Sequence, residues 1–293
     1  AEVTPPVVLG HEYAGIVEEV GADVKGLAPG DHVAVDPNIY CGACTPCRDG
    51  KKQFCEHLQA LGVPRDGGFA QYSAAPAAQC FKLAPELPFE AGAMAEPLAC
   101  CLHGIDAAGI RPGSTVCVIG GGAIGLLMVQ LARLSGAAKV ILSEPVELRR
   151  SAGLSVGADL AVDPLREDLS ARVREAAGKS GADVVIECVG NTAATRSAFE
   201  AAGFGATVLL FSVPAPTATV PLPLFDVYKK ELAIRGSFIN PDTHLRAVEL
   251  LSAGRINVEP LITHTFGIGE MEQAIKMQMG GESIKVMVLP NKR

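Results

Sequence analysis

Hydrophobic and polar positions follow different patterns on the two sides of Pro112. Before it, short β-type runs such as Ala14–Val20 lie between glycine- and proline-rich segments, and Asp31–Val35 alternates polar and apolar residues as a half-buried strand does. Phe69–Ala74 is a further strand candidate, and the alanine- and leucine-rich stretch 88–108 predicts helix. We therefore expect an irregular β region, in the form of a barrel.

After Pro112, apolar strands alternate with helical segments, which predicts a parallel sheet covered on both faces and an α/β fold. Helices are also expected at 242–253 and 270–277, before a final strand at Ile284–Leu289. The predicted strands of the alternating region are Thr115–Ile119, Lys139–Ser143, Leu160–Val162, Asp183–Glu187 and Ala206–Phe211, and its first helices are Ala123–Ser135 and Val146–Val156.

Composition narrows the functional classes. The 293 residues are 48% hydrophobic and 19% charged, as in a well-packed soluble protein. A net charge of −7 without a lysine or arginine cluster argues against nucleic-acid binding. The sequence shows no apolar span long enough for a membrane helix and no signal peptide. Five cysteines in mostly apolar surroundings indicate reduced core thiols in a cytoplasmic protein: Cys80, Cys100, Cys101, Cys117 and Cys188.

The other four cysteines fall in one short segment. Cys41, Cys44, Cys47 and Cys55 have the spacing C-x2-C-x2-C-x7-C, and four thiolates can close a tetrahedral shell around Zn²⁺. A closed shell leaves no position for substrate, so this zinc is predicted to be structural. Disulfide pairing or chance clustering is the alternative, which short spacings of this kind disfavour.

A second motif follows the strand Thr115–Ile119 and opens a helix. Gly120-Gly121-Gly122-Ala123-Ile124-Gly125 fits G-x-G-x-x-G, the turn that holds a dinucleotide pyrophosphate at a helix N-terminus. Glu144 ends the next strand, where a carboxylate binds the adenosine ribose hydroxyls and repels a 2′-phosphate. The sequence thus favours NAD over NADP, although Arg149 and Arg150 lie close enough to hold such a phosphate.

Taken together, these motifs resemble the zinc-dependent medium-chain dehydrogenases, in particular the polyol (sorbitol-like) and threonine dehydrogenase branches. The resemblance covers essentially the whole chain. It also rests on Gly10-His11-Glu12-Tyr13-Ala14-Gly15, Gly30-Asp31-His32-Val33, Asp66-Gly67-Gly68-Phe69-Ala70, Glu96-Pro97 and Glu187-Cys188-Val189-Gly190. Without this context, His11, Glu12 and Glu96 would be unremarkable.

The resemblance implies a GroES-like β-barrel catalytic domain, residues 1–108 and 239–293, whose zinc lobe is 41–55. A Rossmann NAD-binding domain, residues 109–238, is expected to be inserted into it, with the active site in the cleft between them. It further implies a second, catalytic zinc with His11, Glu12 and Glu96 as ligands. The cysteine ligand of the family precedes the Gly-His-Glu motif and would lie before Ala1, so the sequence resembles a chain without its N-terminal segment.

Further cofactor contacts are implied by the same resemblance: Arg149 near the adenosine ribose, Cys188 and Val189 at the nicotinamide ribose, Phe211, Ser237 and Phe238 at the nicotinamide end, and Lys285 at the pyrophosphate. The expected reaction is oxidation of a small alcohol or polyol with hydride transfer to NAD, in a homodimer or homotetramer. Two alternatives remain open, a threonine dehydrogenase and a non-catalytic NAD-binding protein with structural zinc only.

Overall fold

The computed structural model describes residues 5–291 of the chain, and they group into two compact units. One unit contains the residues up to Cys100 together with those from Ile239 onward, and the other contains Cys101–Phe238. The boundary proposed from the sequence, after residue 108, falls at the end of the helix Ala95–Ala108, whereas the compact units divide within that helix.

The first unit is built from small sheets. β1 (Tyr13–Ile16), β2 (His32–Val35) and β5 (Cys80–Lys82) form an antiparallel sheet in the order β1–β2–β5. A second antiparallel pair joins β3 (Asn38–Ile39) to β4 (Gln59–Ala60), and a parallel pair joins β12 (Ile262–Gly267) to β13 (Lys285–Leu289). The helices with residues in this unit are α1 (Thr45–Arg48), α2 (Phe89–Ala93), α3 (Ala95–Ala108), α9 (His244–Ser252) and α10 (Met271–Met279).

Phe69–Ala74 does not form the predicted strand. The backbone there follows Gly67 and Gly68, and the N–H groups of Gly67, Gly68 and Phe69 donate to the carbonyl oxygens of Val8, Gly10 and Leu9. Within the segment, only Phe69 is part of this contact with residues 8–10, and the residues after it form irregular backbone.

The second unit contains one parallel sheet of six strands in the order β11–β10–β9–β6–β7–β8. The strands are β6 (Thr115–Ile119), β7 (Lys139–Ser143), β8 (Leu160–Val162), β9 (Ala182–Glu187), β10 (Ala202–Leu210) and β11 (Ala233–Gly236). The helices are α4 (Ala123–Leu134), α5 (Glu147–Ser155), α6 (Leu169–Ala177), α7 (Thr192–Ala201) and α8 (Leu224–Lys230). The predicted α/β fold with a doubly wound sheet is confirmed.

The order of the strands places a topological switch at β6. The chain passes from β6 to β7 and β8 on one side and then resumes with β9 on the other side of β6. Every residue of β6 is buried, as expected for a central strand covered on both faces. In sheets of this kind ligands bind outside the carboxyl ends of the strands at the switch point, which is where the glycine motif lies.

None of the helices within residues 5–291 combines the length and apolarity that crossing a lipid bilayer requires.

Candidate functional site

The segment 41–55, called the cysteine lobe below, brings its four thiols together. Their sulfur atoms lie within 4.8 Å of one another, and those of Cys44 and Cys55 are 3.9 Å apart. Four sulfurs at tetrahedral corners around Zn²⁺ are separated by about 3.8 Å, given a Zn–S distance of about 2.3 Å. All four cysteines are free, so disulfide pairing does not explain the cluster. The geometry fits a closed zinc site.

Backbone amides prepare the lobe for an ion. The N–H groups of Ala43 and Cys44 both donate to Cys41 Sγ at 3.4 Å, and the N–H of Cys41 donates to Cys55 Sγ at 3.3 Å. The two bonds to Cys41 lower the pKa of its thiol to about 6. The thiolate, which is the form that binds metal, is therefore favoured at this corner of the shell.

His11, Glu12 and Glu96, called the acid–histidine cluster below, also come together although residues 12 and 96 are far apart in sequence. Each offers a ligand atom, and these atoms lie within 4.8 Å of one another. His11 Nε2 is 4.0 Å from Glu12 Oε1. Both side chains are partly exposed, whereas Glu96 is only 7% exposed. One imidazole and two carboxylates form a donor set that suits a catalytic type of zinc site.

Electrostatics at this cluster favour a cation. Burial, and then the neighbouring charge of Glu12, raises the pKa of Glu96 to about 8. A buried carboxylate that lies beside a second carboxylate is stabilised when a positive ion lies between them. The cluster therefore fits the divalent metal that the family resemblance implies there, and its residue roles remain a proposal.

Glycines hold the backbone beneath His11. A Cβ atom on Gly62 or on Gly67 would lie 2.2 Å from the carbonyl oxygen of Gly10, a distance that side-chain atoms do not adopt. Gly10 itself has φ +98°, in the left-handed region that favours glycine. The close approach of these three backbones, reinforced by the bond from Val8 N to Asp66 Oδ1 at 2.8 Å, fixes the entry of the chain into His11 and Glu12.

Lys285 lies at the acid–histidine cluster. Its Nζ donates to Glu12 Oε2, and the two side chains are 18% and 27% exposed. No sequence pattern predicts this pair, because its members are 273 positions apart. The structure holds the ammonium group of Lys285 against this carboxylate, and the pyrophosphate contact that the resemblance implies for Lys285 stays a prediction.

In the second unit, the segment Gly120–Gly125, called the glycine turn below, has the geometry of a phosphate cradle. Gly120 has φ +100°, and a Cβ on Gly125 would lie 1.8 Å from the carbonyl oxygen of Gly120. A Cβ on Gly122 would meet nothing within 4 Å, so the missing side chain leaves open space at the N-terminus of α4. Ala123 and Ile124 begin that helix and present its first amide groups.

Glu144 faces the glycine turn. Its Oε2 accepts from the N–H of Gly121 at 2.7 Å, its Oε1 accepts from the N–H of Val146 at 2.8 Å, and the residue is 3% exposed. Arg150 does not point to an open phosphate site, since its guanidinium bonds the carbonyl oxygens of Glu144 and Pro145 and pairs with Glu147. Arg149 lies on α5 with a half-buried side chain.

Glu187, at the carboxyl end of β9, has a role that sequence reasoning did not assign. Its Oε1 accepts from the N–H groups of Val189 and Gly190 at 2.6 and 2.9 Å, its Oε2 accepts from Ser212 Oγ, and the residue is 1% exposed. It thus shapes the turn that carries Cys188, whose thiol pKa is raised by burial. A carboxylate ending a strand of apolar residues was the signal that could have identified it.

The remaining predicted cofactor residues lie at strand ends of the same sheet. Phe211 follows β10, and its N–H donates to the carbonyl oxygen of Glu187 at 3.0 Å. Ser237 and Phe238 follow β11, and Phe238 is 53% exposed. The structure therefore gathers the glycine turn, residues 187–190, Phe211, Ser237 and Phe238 at the carboxyl ends of neighbouring parallel strands.

Comparisons with known proteins agree with this architecture. Residues 1–85 match the model of the alcohol dehydrogenase GroES-like domain, and residues 123–253 match that of the zinc-binding dehydrogenases. An L-idonate 5-dehydrogenase from Vitis vinifera is 36% identical over 97% of this chain and 80% of its own. An L-threonine 3-dehydrogenase from Pyrococcus horikoshii is 33% identical over 99% of this chain and 83% of its own.

Among solved structures, one from Sinorhizobium meliloti, described as a zinc-binding dehydrogenase bound to NADP, superposes with a TM-score of 0.95. It is 42% identical, and the match covers 98% of this chain and 85% of that one. The similarity therefore extends through both compact units.

Proposed function

Because the chain belongs to the zinc-dependent medium-chain dehydrogenase family, we propose that it oxidises a secondary alcohol or polyol to the ketone and passes the hydride to a nicotinamide dinucleotide. The observation that carries this proposal is the acid–histidine cluster, since a protein that used zinc only in the cysteine lobe would have no reason to bury Glu96 beside Glu12.

We assign the ligand roles from burial and pairing. His11 offers an imidazole nitrogen and Glu96 a buried carboxylate, and both are proposed as direct ligands. Glu12 is held by Lys285, so it is proposed to act directly or through a water molecule. An ion bound by these groups supplies Lewis acidity that lowers the pKa of the substrate hydroxyl.

The dinucleotide is proposed to be NAD. Glu144 turns its buried carboxylate toward the glycine turn, and a 2′-phosphate at the adenosine ribose would be repelled by it. Arg150, which could neutralise such a phosphate, is occupied by Glu147 and by two carbonyl oxygens. Because the structure from Sinorhizobium meliloti is described as bound to NADP, the preference should be measured as the ratio of kcat/KM for NAD to kcat/KM for NADP.

Two alternatives are kept. The threonine dehydrogenase from Pyrococcus horikoshii is nearly as similar to this chain as the idonate dehydrogenase is, so L-threonine is a candidate substrate. A non-catalytic dinucleotide-binding protein would keep the cysteine lobe and the glycine turn without a second metal. The two classes differ in zinc content, with two ions per chain for the enzyme and one for the binding protein.

One experiment separates these possibilities. NAD reduction would be measured with sorbitol, xylitol, arabinitol, butanediol, L-threonine and simple alcohols, with zinc content determined on the same sample. Turnover of a polyol or secondary alcohol at two zinc ions per chain supports the proposal. Turnover of L-threonine alone selects the first alternative, and no turnover at full zinc loading contradicts the proposal.

We also propose that the chain forms a homodimer or homotetramer in the cytoplasm. β11 is the terminal strand of the six-stranded sheet, and an edge strand is a position where a second copy can add a strand. The nearby helix α8 exposes Leu224, Phe225 and Tyr228 by 72%, 69% and 78%. Such an apolar patch is typical of an interface between copies. If light scattering finds a monomer for both the wild type and Phe225→Glu, the oligomer assignment is contradicted.

The proposed cytoplasmic location is supported by the cysteines, which are all free, as expected in a reducing compartment.

A further inference from the structure

Cys100 lies one turn after Glu96 on α3, and the two side chains share a face of the helix. Cys100 Sγ donates to Glu96 Oε1 at 3.4 Å. The turn that carries the cysteine is anchored from outside the helix, because Thr243 Oγ1 donates to the carbonyl oxygen of Ala99 at 2.7 Å and is itself buried. The thiol is therefore held at a fixed place beside the carboxylate.

A buried carboxylate that binds a cation through one oxygen leaves the other to be satisfied by the protein. Here the thiol of Cys100 is a donor to Oε1 of Glu96. A neutral thiol is a weak donor, but the bond becomes charge-assisted when Glu96 is ionised. The sulfur does not join His11, Glu12 and Glu96 in the group of ligand atoms within 4.8 Å, so it is placed outside the ligand shell.

We propose that Cys100 is a positioning residue of the second metal site, whose S–H···O bond orients the carboxylate of Glu96 toward the ion. This inference rests on the proposed function, because it requires a metal at the acid–histidine cluster. It assigns a task to a cysteine that lies outside the cysteine lobe and is half-buried rather than packed in the core.

The test uses three variants of the whole chain. Cys100→Val replaces the donor with a slightly larger apolar side chain, and Cys100→Ser restores a donor. Cys80→Val changes a comparable half-buried cysteine, whose thiol donates to the carbonyl oxygen of Pro76 at 3.7 Å. Affinity for the second zinc is measured by competition with a chromogenic chelator, and the visible spectrum is recorded with Co²⁺ in the same site. The zinc of the cysteine lobe and the thermal transition report folding.

We expect Cys100→Val to weaken the second zinc by about tenfold or more, the usual effect of losing an outer-shell partner, and to shift the Co²⁺ bands. Cys100→Ser should recover most of the affinity, and Cys80→Val should match the wild type. Unchanged affinity and spectrum in Cys100→Val would overturn the inference, as would a serine variant as weak as the valine variant. Should Cys100→Val lose the lobe zinc, Cys100→Ala takes its place. A wild-type chain with one zinc overturns the proposed function itself.

Discussion

The cysteine lobe and the acid–histidine cluster are two groups of metal-type ligands in the same unit, and the chain assembles them in opposite ways. The lobe takes its four cysteines from one continuous segment, while the cluster takes its members from separate segments and adds Lys285 from β13. A local site depends on turns and spacing, whereas an assembled site depends on the packing of the whole unit. The two sites should therefore respond differently to substitution.

The largest effect is expected when the lobe loses a ligand. Cys47→Ser should leave one zinc per chain and lower stability by about 5 kcal/mol, the range seen when a metal is lost, which corresponds to roughly 10 °C or more in thermal midpoint. Zinc analysis and thermal unfolding check this. Cys80→Ser, which changes a free cysteine outside the lobe, is the matched control. A Cys47→Ser protein that keeps two zinc ions would disprove the lobe as a metal site.

The assembled cluster should show the reverse behaviour, with activity lost and stability kept. Glu96→Gln is expected to lower kcat/KM by about 10³-fold, on the order of 4 kcal/mol of transition-state stabilisation, because it removes a charged ligand. The lobe zinc should stay in place. Glu86→Gln alters an exposed carboxylate as the control. Steady-state kinetics and metal analysis measure these effects. Near wild-type activity of Glu96→Gln would show that Glu96 is not a required ligand of the second metal.

Packing beneath His11 gives the next largest effect. Gly67→Ala would place a Cβ 2.2 Å from the carbonyl oxygen of Gly10 and 2.3 Å from Gly62 Cα, and backbone atoms cannot move away easily. We expect a loss of about 3 kcal/mol in the free energy of unfolding, together with weaker binding of the second zinc. Gly15→Ala, where a Cβ meets nothing within 4 Å, should change stability by less than about 0.5 kcal/mol. Urea unfolding compares the pair, and equal stabilities would show that the glycine contact is not required.

The smallest effect is predicted for Lys285. Lys285→Met leaves the Glu12 carboxylate without its ammonium partner, and kcat/KM is expected to fall about tenfold, or roughly 1.4 kcal/mol. Lys276→Met removes an exposed lysine that pairs with Glu272 on α10 and should have no measurable effect. Equal kinetics for the two variants would mean that the pair with Glu12 does not contribute to catalysis.

The contrast also explains what the sequence could reveal. The cysteine lobe, the glycine turn and the buried strand β6 are encoded by neighbouring residues, and each is found where the pattern predicts it. The pair of Lys285 with Glu12 joins distant parts of the chain, for which no local pattern exists. Cys100 and Glu96 are one helical turn apart, but the sequence does not show that their side chains bond each other. The strand predicted at Phe69–Ala74 is wrong, because its β-type composition does not show the contacts that the preceding glycines make with residues 8–10.

The pairing of β3 with β4 brings together the two ends of the segment that contains the cysteine lobe. Asn38 faces Ala60 and Ile39 faces Gln59, so the excursion of chain that contains the cysteines leaves and returns at adjacent points. A loop whose ends are pinned in this way can be shortened to a tight turn with little disturbance of the strands that frame it. These adjacent ends would let a shorter loop replace the lobe, and a zinc ion bound by the four cysteines would compensate for the ordering of a segment that has few apolar side chains of its own.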